Sequence, residues 1–251
     1  MRTEAQRELQ RRPRGLPRLR QRWEHLLFLH WSFEPEAVEA TLPPGLSADT
    51  FDGRAWVGIV PFRMRGVRPA GTPPLPGLSA FRECNVRTYV LGPDGRPGVY
   101  FHSLDADQKL AVEVARRAFK LNYFRARMSA SVEGDWVRYR AGRTDPRGPS
   151  PNAPSNFLYR GERDAAEAEP GSLDFFCLER YLLYAWESAR ERLFAGRIWH
   201  PPYRAETADV ASWDARLAQS AGFALEDAAT PEHQRYVREA DVRVFGLERV
   251  S

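Results

Sequence analysis

FRECNVRTYV, residues Phe81 to Val90, is the stretch on which the fold turns. A strand points successive side chains to opposite faces, so Phe81, Glu83, Asn85, Arg87 and Tyr89 share one face. Cys84, Val86, Thr88 and Val90 take the other. With the Cys/Val face in a core, the Glu-Asn-Arg column faces either solvent or a lined cavity. Glu83 and Arg87 lie two pleats apart, within reach of a shared carboxylate–guanidinium network through Asn85. Residues 123–132 have the same character: Tyr123, Arg125, Arg127, Ser129 and Ser131 alternate with Phe124, Ala126, Met128, Ala130 and Val132. Two such mixed faces suit a closed barrel with a polar interior, and equally suit solvated outer faces.

Outward from this centre the chain reads as strands joined by tight turns. His25–Phe33 (HLLFLHWSF) is an apolar run of strand length, and Glu34-Pro35-Glu36 opens a short helix with proline in its first turn. Asp52-Gly53 and Asp94-Gly95 are hairpin signals. A helix is expected over about 106–119, with Asp105 and Gln108 as a capping pair. Further strands are expected at 136–143, 156–160, 181–187, 191–199 and 235–249, and short helices near 172–179 and 209–220. Residues 68–79 and 144–154, rich in proline and glycine, read as loops. Many strands, few helices and repeated hairpins give an α+β class that is mainly antiparallel β.

Composition narrows the function classes. The chain has 251 residues, a net charge of +4 and 43% apolar residues, enough for a sizeable core. The charge is uneven: residues 1–22 hold eight arginines against Glu4 and Glu8, leaving the remainder slightly acidic. The basicity therefore belongs to an arm, expected to be mobile, and argues against nucleic acid as the partner. Residues 23–251 are expected to form a single barrel domain. No apolar run reaches the ~18 residues of a membrane span. Cys84 and Cys177 read as reduced thiols of a cytosolic protein.

Several chemistries are missing their signatures: there is no GxGxxG after a strand, no P-loop, no HExxH and no GxSxG. His25 and His30 face opposite sides of one strand, so no metal site is expected. His102, within VYFHSLD, is a lone strand histidine. Only two lysines exist, Lys109 and Lys120, and both read as helix-surface cations: Lys109 sits four residues before Glu113, and Lys120 ends the helix. Arg116 reads as an exposed partner of Glu113.

Five segments carry a resemblance as a set: LHWSFEPEAVEATLPPGL, FDGRAWVGIVPFRMRGVRP, FRECNVRTYV, GVYFHSLDAD and ARRAFKLNYFRARM. Together they resemble the YqjF-like family of bacterial proteins over about residues 23–250, and that family is similar to the acetoacetate decarboxylase superfamily. The resemblance implies an acetoacetate decarboxylase-like β-barrel around a polar cavity, covered by a few helices. In the decarboxylases a strand glutamate and a lysine pair after a turn form the site, one lysine activated by the neighbouring cation. By the resemblance Glu83 falls at the glutamate, Lys120-Leu121-Asn122 at the turn, and Tyr123-Phe124 at the lysine pair. Tyrosine forms no imine, so Schiff-base decarboxylation is not expected.

The expected function is catalysis on a small keto or carboxylic acid in such a cavity, without a cofactor. Glu83 would be the general acid or base and Tyr123 a proton donor or oxyanion partner. Arg87 or Arg125 would clamp a carboxylate, with Asn85 and His102 completing the binding set. Two other readings stand beside it: a barrel that binds a small anionic or carbonyl-containing molecule without turnover, and an interaction protein. Self-association is left open.

Overall fold

The computed structural model describes residues 2–149, 154–226 and 229–250. Helix α1 (Arg2–Gln10) precedes the long strand β1 (Leu19–Phe33), which the short helix α2 (Pro35–Glu39) follows. Strands β2 (Ser47–Ala48) and β3 (Thr50–Phe51) lead to β4 (Arg54–Pro69), β5 (Phe81–Leu91) and β6 (Pro97–Ala106). After α3 (Lys109–Phe119) come β7 (Tyr123–Glu133), β8 (Trp136–Arg143), β9 (Ser155–Gly161) and β10 (Ala166–Glu167). Next are α4 (Leu173–Leu178), β11 (Leu182–Glu187), β12 (Arg192–Trp199), β13 (Arg204–Ser212), α5 (Arg216–Ser220) and β14 (His233–Arg249).

These strands join in one mainly antiparallel sheet, the class expected. Only the β6–β7 and β6–β11 pairings are parallel. The Asp52-Gly53 turn forms as its chemistry requires, with both residues at positive φ (48° and 77°) between β3 and β4.

One simple closed barrel does not result, because the sheet forks. Beyond its pairing with β5, β6 pairs β11 through Val99 and Tyr100, and β7 through Leu104, Asp105 and Ala106. Strand β14 forks likewise, pairing β12 near its C-terminal end and β13 near its N-terminal end. Pairing therefore runs round two circuits that share β6, β5, β4, β1 and β14. One returns through β12, β11 and β6; the other returns through β13, β9, β8, β7 and β6.

The main core lies against the shared strands. Leu27, Leu29, Val57, Ile59, Cys84 and Val86 pack there with Tyr139, Phe157 and Tyr159 of β8 and β9, and with Leu217 of α5. Residues 209–212, read as the start of a helix in the sequence, instead end strand β13, and the helix α5 begins only at Arg216. That strand carries little alternation of its own and is set by pairing to β9 and β14.

The basic arm does not stand apart. Leu19–Arg22 are the first residues of β1, and α1 lies against the domain. Leu9 is buried, the buried Gln6 donates from Nε2 to the carbonyls of Phe175 (2.6 Å) and Glu179 (2.8 Å), and Arg197 and Trp199 donate to backbone oxygens of Leu9 and Gln10. Replacing Gln6 by alanine strands two carbonyls. We expect Gln6→Ala to destabilise the fold by about 1–3 kcal/mol in urea denaturation; an unchanged midpoint would show that α1 contributes nothing.

Candidate functional site

Both faces of β5 are buried: only its end residue Leu91 and Arg82 show more than slight exposure. The Cys84/Val86 face meets the main core. The Glu83-Asn85-Arg87 face lines a cavity of about 670 Å³ inside the first circuit, walled also by β1, β4, β6, β11, β12 and α3. The polar column is therefore interior.

Glu83 is 2% exposed, and its carboxylate is held from two sides. Tyr123 donates its hydroxyl to Oε2 at 2.6 Å, and Asn85 donates from Nδ2 to Oε1 at 3.3 Å. The register explains the reach. Tyr123 of β7 lies beside Leu104 of β6, which lies opposite Asn85 of β5, so the tyrosine spans one intervening strand. Burial raises the Glu83 carboxyl from about 4.5 to about 7, more than these two donors lower it; buried Asp105 adds to the rise. The Tyr123 hydroxyl is pushed well above its usual range by burial and by the carboxylate it serves.

Arg87 takes a different path from the one the sequence suggested. It does not join Glu83 through Asn85; its Nη2 donates to the Tyr89 hydroxyl and to the Cys177 carbonyl, both at 3.2 Å. The guanidinium lies over the Phe28 ring at 5.0 Å and the Tyr89 ring at 5.6 Å. Among the described residues no carboxylate pairs with it. Arg87 Nε, Asn85 Oδ1 and Arg180 Nη2 are buried without a hydrogen-bond partner, and all three residues line the cavity. A buried cation without a counter-ion beside unused polar atoms is a place for an anion.

Arg180 and Tyr203 also line the cavity, and nothing in the alternation of β5 or β7 pointed to either. Arg180 is held by Asp49 at 2.7 Å and by the Phe176 carbonyl, which makes Glu179-Arg180-Tyr181 a buried corner. Away from this floor the walls are mostly apolar, with Phe62, Met64, Leu104, Leu121 and Ile198 among them. The lining also includes Gln21, Arg68, Ser79 and Gln108, so the polar interior expected from sequence is a minority of a mostly apolar wall.

Two expected binding residues lie elsewhere. Arg125 stands outside the cavity, 43% exposed, with Nε 3.7 Å from Asp145. His102 falls at a register shift: Val86 pairs Ser103 and Arg87 pairs Phe101, leaving His102 without a partner on β5. Its ring sits edge-on to Tyr100 and Phe223 outside the cavity lining, and burial lowers its pKa to about 4. Asp105 is no cap; it pairs with Arg143 at 2.8 Å, and Gln108 caps α3 by accepting from Leu110 N. Arg116 turns inward to the Tyr123 carbonyl and Asp145.

His30, His233 and Cys177 bring three ligand-type atoms within 4.8 Å of one another, a cluster that spacing did not reveal. Its ring nitrogens are already engaged. Asp174 meets His233 Nε2 (2.6 Å), the two Nδ1 atoms meet (2.8 Å), and His30 Nε2 meets the Tyr89 hydroxyl (2.6 Å). Burial pushes the Cys177 thiol up to about 12, which keeps it protonated. The group reads as a buried polar chain from Asp174 to Tyr89, the residue on which Arg87 rests.

Neither lysine reaches the cavity. Lys120 ends α3 in the left-handed region (φ 55°) and pairs with Glu187 at 2.9 Å, and Lys109 is exposed. The cavity thus holds a carboxyl, a phenol, an amide and guanidinium groups, but no amine nucleophile.

This geometry can be set beside known proteins. Acetoacetate decarboxylase from Legionella pneumophila shares the fold at a TM-score of 0.63 and 13% identity, over 96% of this chain and 92% of that one. An enduracididine biosynthesis enzyme, MppR, solved with pyruvate, is similar at a TM-score of 0.60 and 15% identity, over 95% and 92% of the two chains. In sequence, the uncharacterized protein YqjF of Bacillus subtilis (strain 168) is 35% identical over 239 residues, 95% of each chain. The family described as an uncharacterized conserved protein, DUF2071, matches residues 20–241. The chain belongs to that DUF2071 family, with YqjF among its relatives and an acetoacetate decarboxylase-like fold.

Proposed function

We propose that this protein moves a proton at the carbon beside the carbonyl of a keto or carboxylic acid, with Glu83 as general base and no imine. The observation that carries the reading is one cavity face holding a carboxyl raised to about 7 and, two pleats along the same strand, the Arg87 guanidinium with no counter-ion among the described residues. A general base works best with its pKa near the working pH, which is where desolvation sets Glu83. Arg87 holds the anionic end of the substrate, and Asn85 lies between the two. Glu83 takes the proton from carbon, the C–H electron pair becomes the enolate, and the Glu83 proton, after exchange with solvent, or a solvent-derived one in its place returns to carbon or oxygen. Tyr123 fixes Oε2, and Oε1, which carries only the longer Asn85 bond, has a lone pair to take the proton. The likeness in fold to an acetoacetate decarboxylase and to MppR, which was solved with pyruvate, supports a keto acid as substrate class. The buried, unpaired thiols of Cys84 and Cys177 support a reducing, cytoplasmic setting.

Deuterium exchange from solvent into the carbon beside the carbonyl of a keto acid, followed by NMR, tests the reading. The wild type is expected to catalyse exchange, and Glu83→Gln to slow it by about 10²–10⁴-fold; equal rates would sink the proposal. Exchange should rise with pH through about 7, the ionisation of Glu83. Tyr123→Phe removes a donor to the ionised carboxylate, so its midpoint should move higher. Borohydride with the same keto acid should leave Lys109 and Lys120 unmodified; a stable adduct on either would restore imine chemistry.

Stability should report the same group. Glu83 titrates near 4.5 when unfolded and near 7 when folded, so between these values the native state binds more protons. The stability that this group contributes is present below the unfolded value and lost as pH rises through the folded one. Against wild type, Glu83→Gln should therefore gain in urea midpoint between about pH 5 and about pH 8. A constant difference across that range would mean that Glu83 ionises normally.

A further inference from the structure

The cavity is far larger than its polar end requires. A keto acid of pyruvate size, with six heavy atoms at roughly 30 Å³ each, takes about 180 Å³, against a cavity of about 670 Å³. The rest is walled mostly by apolar side chains, and those walls continue to an open rim. There Leu75 and Leu78 of the loop after β4 face Leu110 and Val114 of α3, and all four are between 42% and 57% exposed. Gln108, the cap of α3, donates to the Gly77 carbonyl and so ties that loop to the helix. Apart from Leu16 and Val132, these four are the exposed large apolar residues among those described. Such a concentration at the mouth of a cavity marks a surface that an apolar ligand covers.

We propose that the ligand is an amphipathic monocarboxylate, its acid end at Arg87 and Arg180 and an unbranched apolar chain running past Met64 and Leu121 to the rim. This deepens the reading above and rests on its anion site. At roughly 30 Å³ per heavy atom, an acid with a chain of about twelve carbons fills about 420 Å³ and leaves the rim residues to pack on its end. The chain supplies binding through desolvation, while the acid end fixes the orientation against Glu83.

Calorimetric titration with saturated straight-chain carboxylates from butyrate to dodecanoate, below their micellar concentrations, tests this. The dissociation constant is expected to fall about fourfold per added methylene, the equivalent of ~0.8 kcal/mol per buried CH₂. Ala111→Trp places an indole across the apolar walls above the floor. It should weaken dodecanoate by at least about 30-fold while leaving butyrate within about twofold, several methylenes' worth of burial being lost. Val114→Trp at the exposed rim is the second variant, in case the first does not fold, and should act in the same direction. Equal affinities from butyrate to dodecanoate overturn the chain proposal alone and leave the anion site standing. Unaltered dodecanoate binding in the tryptophan variants also overturns it, since the chain then adsorbs elsewhere. If no carboxylate binds at any length, the anion site falls with it.

Discussion

Strand β5 is a wall between two interiors, and most of the structure follows from that constraint. Its Cys84/Val86 face belongs to the main core and its Glu83/Asn85/Arg87 face to the cavity, so the polar groups of that second face are met by protein, save Asn85 Oδ1 and Arg87 Nε, which face the cavity unpaired. Pairing on both edges, to β4 and β6, satisfies the backbone. The side chains are met from further away: Tyr123 reaches Glu83 across β6, and Tyr139 donates to the Glu83 carbonyl from the other side of the wall. The fork at β6 is what allows this. One end of β6 holds β7, and with it Tyr123, while the other holds β11 and closes the cavity.

Arg87 shows how the same wall keeps a charge in place. A buried guanidinium without a carboxylate is costly, and it persists where dipoles and rings over-determine it. Two aromatic faces, the Cys177 carbonyl and the Tyr89 hydroxyl do this here. Tyr89 is in turn fixed by the His30–His233–Asp174 chain, which ends at a partly exposed carboxylate. His30 is driven well below its usual pKa by burial and by the neighbouring His233 and Arg87, so it stays neutral and adds no second charge. The cluster that resembles a metal site therefore works as a support for Tyr89 and, through it, for Arg87.

Period-two alternation made β5 and β7 readable, and with them Glu83, Asn85, Arg87 and Tyr123, because that pattern is local. It could not say whether the polar column met solvent or an interior. The answer lies in β1, β4, β11 and β12, which reach the cavity from the far ends of the chain. His102 was misplaced because of the register shift at Phe101–Ser103, and Arg125 because, beyond Tyr123 on β7, it lies past the cavity lining next to Asp145. The arm was read from its charge, but its docking rests on Gln6 and Leu9, two inconspicuous residues in an arginine-rich stretch. Likewise β13 owes its shape to its neighbours rather than to its own pattern.

The tyrosine at position 123 changes more than the absence of an amine. A lysine beside Glu83, as the resemblance to the decarboxylases would have it, brings a positive charge that stabilises the carboxylate and lowers its pKa. Tyrosine brings a neutral donor. Its hydrogen bond only partly offsets desolvation, and the carboxyl is left near 7 rather than at an ordinary acidic value. On the proposed reading, this one position removes the imine-forming amine and leaves the neighbouring glutamate with a neutral donor in place of a counter-ion, free to exchange a proton. The cation duty passes to Arg87, two pleats along the same strand and fixed independently of Glu83. In such a site the anionic end of a ligand and the proton to be moved are held by separate groups on one rigid strand. Their separation, set by the pleat, is a property of the fold rather than of side-chain flexibility.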